Sequence, residues 1–444
     1  MKLLTDLSRR QFLTRATAAS AGTVALPYFV PSTALGEDGA TPPSERIAMG
    51  FVGLGGQGSN LMSHFLRHGD VQVVAVCDVD AGHRENAKKT VETFYSDRKD
   101  YKGCAVHSDF RELVARDDLD AVCVATPDHW HALVTIAAVN AGKDVYCEKP
   151  LTNSIGEGRA VCEAVKRNQR VLQTGSHERS NPNARFTAEL IRNGRLGKLH
   201  TIRVNLPCSD GHHKEAQALL DVPPPEPIPD GFDFDFWLGH TPVMPYTSRR
   251  CHFWWRFILS YGGGEMTDRG AHIIDLAQLG GGTDDTGPVE IDAKGTRNAA
   301  SLYDTFWEYQ FENVYANGVR MLGSSEGPRG LKFEGDKGWV FVNVHGCRLE
   351  AEPASLLAEK IGDDEIQLGR TSSHPRNFLD SVKSRQQPFA PAEVGQRTAT
   401  ICHLTNLGMK LGRKLKWDPV KEQVVGDDEA NSLLTPKLRA PWHL

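Results

Sequence analysis

The first patterned stretch of the chain is a short run of apolar positions, "IAMGFV" at Ile47 to Val52, apolar on both faces as a fully buried strand would be. A glycine-broken turn follows, then an amphipathic stretch to about His68 that predicts a helix, then a second buried strand, "VQVVAVCD". The alternation continues. "LDAVCVATP" reads as a strand, "HALVTIAAVNAG" as a helix and "DVYCEKP" as a strand, and after one more helix "VLQTGS" closes the series. Strands alternating with helices in this way predict a doubly wound parallel sheet.

Beyond Ser176 the period changes. A helix over Ala184–Asn193 leads into "HTIRVNLP", and then "DVPPPEPIPDGFDFDFWLG" is too heavily punctuated for regular structure. At 261–279, "YGGGEMTDRGAHIIDLAQL" runs from three glycines into helical spacing. Alternating runs follow: "DTFWEYQFEN", "YANGVRMLGSS", "GLKFEGDKGWVFVNV" and "RLEAEP", with "YANGVR" as an Asn-Gly hairpin. These predict an antiparallel sheet. "EVGQRTATICHLTNLGMKLG" reads as a late helix, and "KLKWDPVKEQVVGDDEANSLL" as a tail lying over the surface.

Length adds a division to this picture, because 444 residues exceed the size at which one core stops growing. A net charge of −5 with scattered basic residues argues against a nucleic-acid partner. The N-terminus is different in kind: Arg9-Arg10, then Phe12 and Leu13, an Ala-rich run from about Ala16 to Val30, and small residues near Ala34. That is the layout of a twin-arginine export signal over residues 1–36, with 37–45 as a polar linker. The apolar run falls short of the ~20 residues that span a bilayer, so the expectation is a periplasmic or otherwise exported protein without a stable membrane anchor. A retained N-terminal anchor is the alternative. The nine cysteines are odd in number and show no CxxC or zinc-type spacing, so they read as structural and no metal is expected.

The first turn carries the chemistry. Gly53, Gly55 and Gly58 form GxGxxG between a strand and a helix, and Asp78 follows twenty residues after Gly58. Such glycines admit a pyrophosphate to a helix N-terminus, and the carboxylate accepts from the adenosine ribose hydroxyls, which favours NAD over NADP. The candidate cofactor residues are Gly53, Gly55, Gly56, Gln57, Gly58 and Asp78, joined at the strand ends by Thr126, Pro127, His131, Glu148 and Lys149. The fold class expected is an α/β Rossmann domain over 46–175, followed by an α+β domain over 176–400 with a mostly antiparallel open sheet. Residues 401–444 form the C-terminal helix and surface tail.

The Rossmann turn, "ATPDHWHA", "EKP" and "GGGEMTDRGAHIIDL", in that order, resemble the Gfo/Idh/MocA oxidoreductases. The likeness covers nearly all the chain after the signal, and is closest to an exported branch with a twin-arginine signal and a "WDP" tail. It implies a catalytic lysine, here Lys149, and an Asp-x-x-x-His pair, here Asp268 and His272. Spaced i, i+4 on a helix, these two can address one substrate hydroxyl, with Gly262 to Gly264 letting the backbone pass close to nicotinamide or sugar. Asp275 reads as a structural partner. Arg269 stands where that branch often has Trp, which puts the substrate-pocket chemistry in question. His177 and Arg179 in "GSHERSNP", and Trp254 and Trp255 in "SRRCHFWWRFILSY", are the substrate candidates. The activity implied is oxidation of a secondary hydroxyl of a sugar, glycoside or cyclitol. The alternatives are a redox-neutral NAD-dependent glycoside hydrolase and a non-catalytic sugar binder. A homo-oligomer through the open sheet face is also expected.

Overall fold

The computed structural model describes residues 41–98, 100–345 and 348–444. The expected export signal at 1–36 lies outside the described residues. Residues 41–46, with one short 3-10 turn at Pro43–Glu45, belong to a separate unit, and the rest begins at Ile47.

The first sheet has six parallel strands: β1 (Ile47–Val52), β2 (Val71–Cys77), β3 (Ala105–His107), β4 (Ala121–Val124), β5 (Asp144–Cys147) and β6 (Leu172–Thr174). Their order is β3-β2-β1-β4-β5-β6. Between them run α1 (Gly56–Leu66), α2 (Ala81–Phe94), α3 (Phe110–Val114), α4 (Asp128–Asn140) and α5 (Ile155–Asn168). Every residue of β4 is buried, which is why it reads as an unbroken apolar run rather than an alternating one. Local signals set the helix starts: Asp80 accepts from the His83 N–H at α2, and Ser154 from the Glu157 N–H at α5. The strand order reverses between β1 and β4, and that switch point opens a crevice at their carboxyl ends.

The second half adds α6 (Pro182–Arg192), β7 (Leu199–Asn205), α7 (Gly211–Gln217), α8 (Phe234–Leu238) and α9 (Arg269–Gly281). Strands β8 (Pro288–Thr296), β9 (Glu308–Tyr315), β10 (Arg320–Ser324), β11 (Gly330–Gly335), β12 (Gly338–Val342) and β13 (Leu349–Glu352) follow. The chain ends with α10 (His374–Ser384), α11 (Ala392–Leu411), β14 (Leu415–Asp418), β15 (Gln423–Val424) and α12 (Asp428–Ser432). Nine strands form one sheet, β13-β12-β11-β7-β10-β9-β8-β14-β15, antiparallel at every pair except β7 with β10. Leu190 of α6, Ile274 of α9 and Ile401 and Leu404 of α11 pack with Ile202, Phe311, Met321 and Phe333 of the sheet. Burial alternates along β9, with Glu308 and Gln310 exposed, so the opposite face is open.

Three expectations change. Helix α6 starts at Pro182 rather than Ala184, because Asn181 caps it and proline suits the first helical position. The proline-rich stretch is not all irregular: it carries α8, and its Phe232 and Trp237 join a buried aromatic cluster with Tyr246 and Trp255. The tail is built into the fold rather than laid over it. β14 pairs with β8, Leu415 and Trp417 are buried, and Trp442 packs edge-on against Trp130 at 4.9 Å.

Candidate functional site

A cavity of about 740 Å3 lies at the switch point, walled by the Gly53–Gln57 turn, the ends of β2, β4 and β5, the 232–256 segment and the start of α9. The glycines of the turn do different jobs. A Cβ on Gly53 would sit 2.6 Å from the Ala125 carbonyl carbon, and one on Gly58 would sit 1.9 Å from the Gly53 oxygen. Gly58 lets α1 pack against the end of β1, and Gly53 lets the turn pass close to the backbone just beyond β4. At Gly56 a Cβ would meet nothing within 4 Å, and at Gly55 only His83 at 4.0 Å. No side chain caps α1, so its N-terminal N–H groups face this open space.

Asp78 closes the same end. It accepts from the Leu54 N–H at 2.6 Å and the Asp80 N–H at 2.9 Å, and His83 Nδ1 lies 3.4 Å away. The hydrogen bond to Asp78 holds the His83 imidazole above its usual pKa, against the effect of burial. Gln57 donates to Glu148 at 3.0 Å, tying the glycine turn to the end of β5. These residues fit a dinucleotide: an uncapped helix N-terminus for pyrophosphate, room above Gly55 and Gly56, and a carboxylate at the ribose position.

At the other end Lys149 donates to the Asp268 side chain at 2.7 Å and to its carbonyl at 3.1 Å. Burial alone would lower the Lys149 pKa, but the Asp268 and Glu148 carboxylates hold it above the ordinary lysine value. Burial likewise opposes ionisation of Asp268, yet Lys149 and Arg256 (Nε 3.8 Å away) keep it well below the usual carboxylate range. His272 is 3% exposed, and burial together with Lys149, His177 and His345 holds it well below the ordinary imidazole value. Burial and the Lys149 charge thus both favour the neutral imidazole. Its Nδ1 has no hydrogen-bond partner among the described residues. Asp128, at the first turn of α4, is 4% exposed, and burial pushes its carboxyl well above the usual range.

The structure gathers most of the sequence candidates and sets others aside. Gly53, Gly55, Gly56, Gln57, Asp78, Thr126, Pro127, His131, Glu148, Lys149, His177, Trp255, Asp268 and His272 all line the cavity. Gly58 does not; it packs beneath the turn. His131 sets its ring nitrogens against two carbonyls, Pro150 O at 2.7 Å and Thr126 O at 3.0 Å; burial favours the neutral ring, which donates to one of them between the two strand ends. Arg179 is not in the lining: it is 4% exposed and pairs with Asp275 and Asp284, each at 2.7 Å. Trp254 is also outside it, stacked on Tyr303. Asp268 is the N-cap residue of α9 rather than part of its regular face. Gly262 to Gly264 do not line the cavity: added Cβ atoms there would press on Trp255, Thr267 and Thr305, so these glycines serve packing. Arg269 pairs with Glu265 at 3.1 Å and Asp210 at 3.0 Å.

Sequence reasoning missed several lining residues. Phe232, Phe236 and Trp237 come from the segment read as irregular, His252 from the aromatic and arginine cluster at 248–261, and His345 from the loop after β12. Their only local signal is an unusual density of aromatic and His residues in loops.

Two family models match the chain. Residues 47–176 match the oxidoreductase family, NAD-binding Rossmann fold, and residues 183–444 the oxidoreductase family, C-terminal alpha/beta domain. Inositol 2-dehydrogenase of Salmonella paratyphi B is 29% identical over 184 residues, 41% of this chain and 50% of that protein. Alpha-N-acetylgalactosaminidase of Shewanella oneidensis is 26% identical over 207 residues, 44% of each. The chain thus spans half or less of the length of these curated relatives. Among solved structures, the WlbA dehydrogenase from Bordetella pertussis in complex with NADH and UDP-GlcNAcA has a TM-score of 0.61 at 17% identity, covering 84% of this chain and 99% of that one. Myo-inositol 2-dehydrogenase from Lactobacillus plantarum has a TM-score of 0.57 at 18% identity, covering 84% and 99%. With both halves matched in order around this cleft, the chain belongs to the Gfo/Idh/MocA oxidoreductase family.

Proposed function

We propose that the protein is an NAD-dependent oxidoreductase acting on a secondary hydroxyl of a sugar, glycoside or cyclitol. The observation that carries this reading is the juxtaposition, in one cleft with the glycine turn, of a charged Lys149–Asp268 pair and a neutral, buried His272. When bound, a nicotinamide supplies a hydride acceptor. His272, held deprotonated, takes the proton of the substrate hydroxyl. Lys149, held protonated by Asp268, donates to the same oxygen and stabilises the charge that develops there. Asp268 positions the ammonium ion, and Trp255, with the Arg256 guanidinium 4.5 Å over its ring, forms part of the cavity wall.

A second reading keeps the same residues. The matched region of a relative named alpha-N-acetylgalactosaminidase favours a redox-neutral glycoside hydrolase, in which oxidation, elimination and re-reduction follow one another. Assaying a glycoside panel for both reduced nicotinamide and released sugar separates the two: net reduction supports the dehydrogenase, and sugar release without net reduction supports the hydrolase.

Two further proposals concern the whole chain. Arg9-Arg10 and the Ala-rich run that follows support export by the twin-arginine route to the periplasm. An exported enzyme must carry its dinucleotide with it, which calls for a Kd on the order of nanomolar. Denaturing the purified protein and assaying the supernatant for nicotinamide nucleotide tests this, and an empty site with micromolar affinity sinks it. The open face of the nine-stranded sheet supports a homo-oligomer, checked by the mass in solution.

A further inference from the structure

We propose that His177, Glu178 and His345 bind one divalent transition-metal ion at the substrate side of the cleft. One ligand atom from each of the three lies within 4.8 Å of the others. Glu178 Oε1 is 3.2 Å from His345 Nδ1 and 3.7 Å from His177 Nε2. Ligand atoms held by one tetrahedral ion at bond lengths near 2.0–2.1 Å lie roughly 3.4 Å apart, so both separations are those of a shared ion. Two imidazoles and one carboxylate are the donor set of zinc and related divalent ions, with positions left open for exogenous oxygen ligands.

The surroundings fit such an ion. Glu178 is 3% exposed, and its Oε1 accepts from the His345 N–H at 2.9 Å, a bond that fixes carboxylate and loop together. The imidazoles of His177 and His345 stack with ring centroids 6.0 Å apart. His272 meets both rings edge-on, at 4.6 Å and 5.1 Å, with its own Nδ1 unpartnered. His177, His272 and His345 all line the cavity.

Two other clusters near the cleft have comparable spacing but other roles. In the set Asp210, His212 and His213, the Asp210 carboxylate is taken by Arg269 and Arg329, at 3.0 Å and 2.9 Å, and two guanidinium ions repel a third cation. In the set Asp80, His83 and His252, Asp80 caps α2 and His83 Nδ1 faces Asp78 at the ribose end. At the proposed site an ion's open positions would take neighbouring substrate hydroxyls beside His272. That consequence rests on the functional reading above; the binding of the ion does not.

Zinc titration by calorimetry, on nucleotide-free full-length protein purified without a polyhistidine tag, tests the site directly. The expected result is one tight equivalent in the wild type. Removing a first ligand should cost at least as much as removing its outer support, so His177→Ala and His345→Ala should each weaken binding by about a hundredfold or more. His212→Ala and His252→Ala should leave it within a few-fold. Both His177 and His345 are about half exposed, and retained NAD+ affinity in their variants shows that the fold is intact. No zinc binding in the wild type, undiminished binding in His345→Ala, or a loss that follows His212 or His252 instead would overturn the proposal. None of these outcomes depends on whether a sugar is oxidised.

Discussion

Gly55→Ala and Gly58→Ala should separate the ligand-binding and packing roles of the glycine turn. At Gly58 the new Cβ would lie 1.9 Å from the Gly53 oxygen and 2.8 Å from its carbonyl carbon, both backbone atoms that cannot swing aside. Relief requires moving α1 off β1. Overpacking of this kind costs about 1–3 kcal/mol, a fall in Tm of roughly 1–4 °C at this size. At Gly55 the backbone has φ −64 and ψ −166, which alanine adopts freely, and the Cβ meets only His83 at 4.0 Å. Stability without nucleotide should therefore stay within about 1 kcal/mol of the wild type. The same Cβ occupies the approach of a pyrophosphate to the α1 N–H groups. Losing one hydrogen bond to a charged group costs about 1.5–3 kcal/mol, so NAD+ affinity should fall at least about tenfold. Thermal denaturation of nucleotide-free protein and calorimetric titration with NAD+ measure the two quantities. Gly55→Ala with wild-type affinity would refute the pyrophosphate placement, and Gly58→Ala with an unchanged Tm would refute the packing role.

Other perturbations have equally definite outcomes. Replacing Lys149 or His272 by Ala should lower turnover by about a hundredfold or more while NAD+ binding persists; steady-state kinetics on the identified substrate checks this, and full turnover in His272→Ala removes it as the base. Asp78→Ala should weaken NAD+ and narrow the preference over NADP+, because no carboxylate would then oppose the 2′-phosphate; an unchanged ratio of the two affinities takes Asp78 out of the ribose site. Asp70 pairs with Arg376 at 2.8 Å and Lys383 at 2.6 Å, and these cations, against the effect of burial, hold its pKa down to about 2. A depressed carboxylate pKa stabilises the fold above its unfolded value near 4 and loses that contribution as pH falls through the folded value. Asp70→Asn should thus cost about 1 kcal/mol near pH 7, discounted because Lys383 is partly solvated, and the gap in urea midpoint should close as pH falls toward 2.

The parallel sheet was legible because its signals are local. Buried apolar runs, Asp80 and Ser154 as caps, and a strand–glycine–helix turn each lie within a few residues of what they specify. The Lys149–Asp268 contact joins residues 119 apart, and only the ordered motifs of the family resemblance placed those two in one site. What stayed hidden depends on non-local pairing. Nothing near Leu415 announces that β14 will add to β8, and nothing in the proline-rich stretch says that Phe232 and Trp237 will wall the cleft. Arg179 misled for the same reason: its partners Asp275 and Asp284 are distant in sequence, so a buried structural cation looked like a substrate ligand. His345 went unread because a single histidine in a loop carries no spacing signal until Glu178 and His177 are brought beside it.

The central claim is that a sugar or cyclitol hydroxyl reduces nicotinamide in this cleft, with His272 taking the proton. Rapid mixing of NAD+-loaded protein with a panel of sugars, glycosides and cyclitols, followed at the absorbance of reduced nicotinamide, tests it most directly. The account predicts reduction of the bound cofactor by at least one member of the panel, lasting for a dehydrogenase and transient for a redox-neutral hydrolase, and lost in His272→Ala. Cofactor that stays oxidised across the whole panel, in protein that demonstrably binds NAD+, would contradict it.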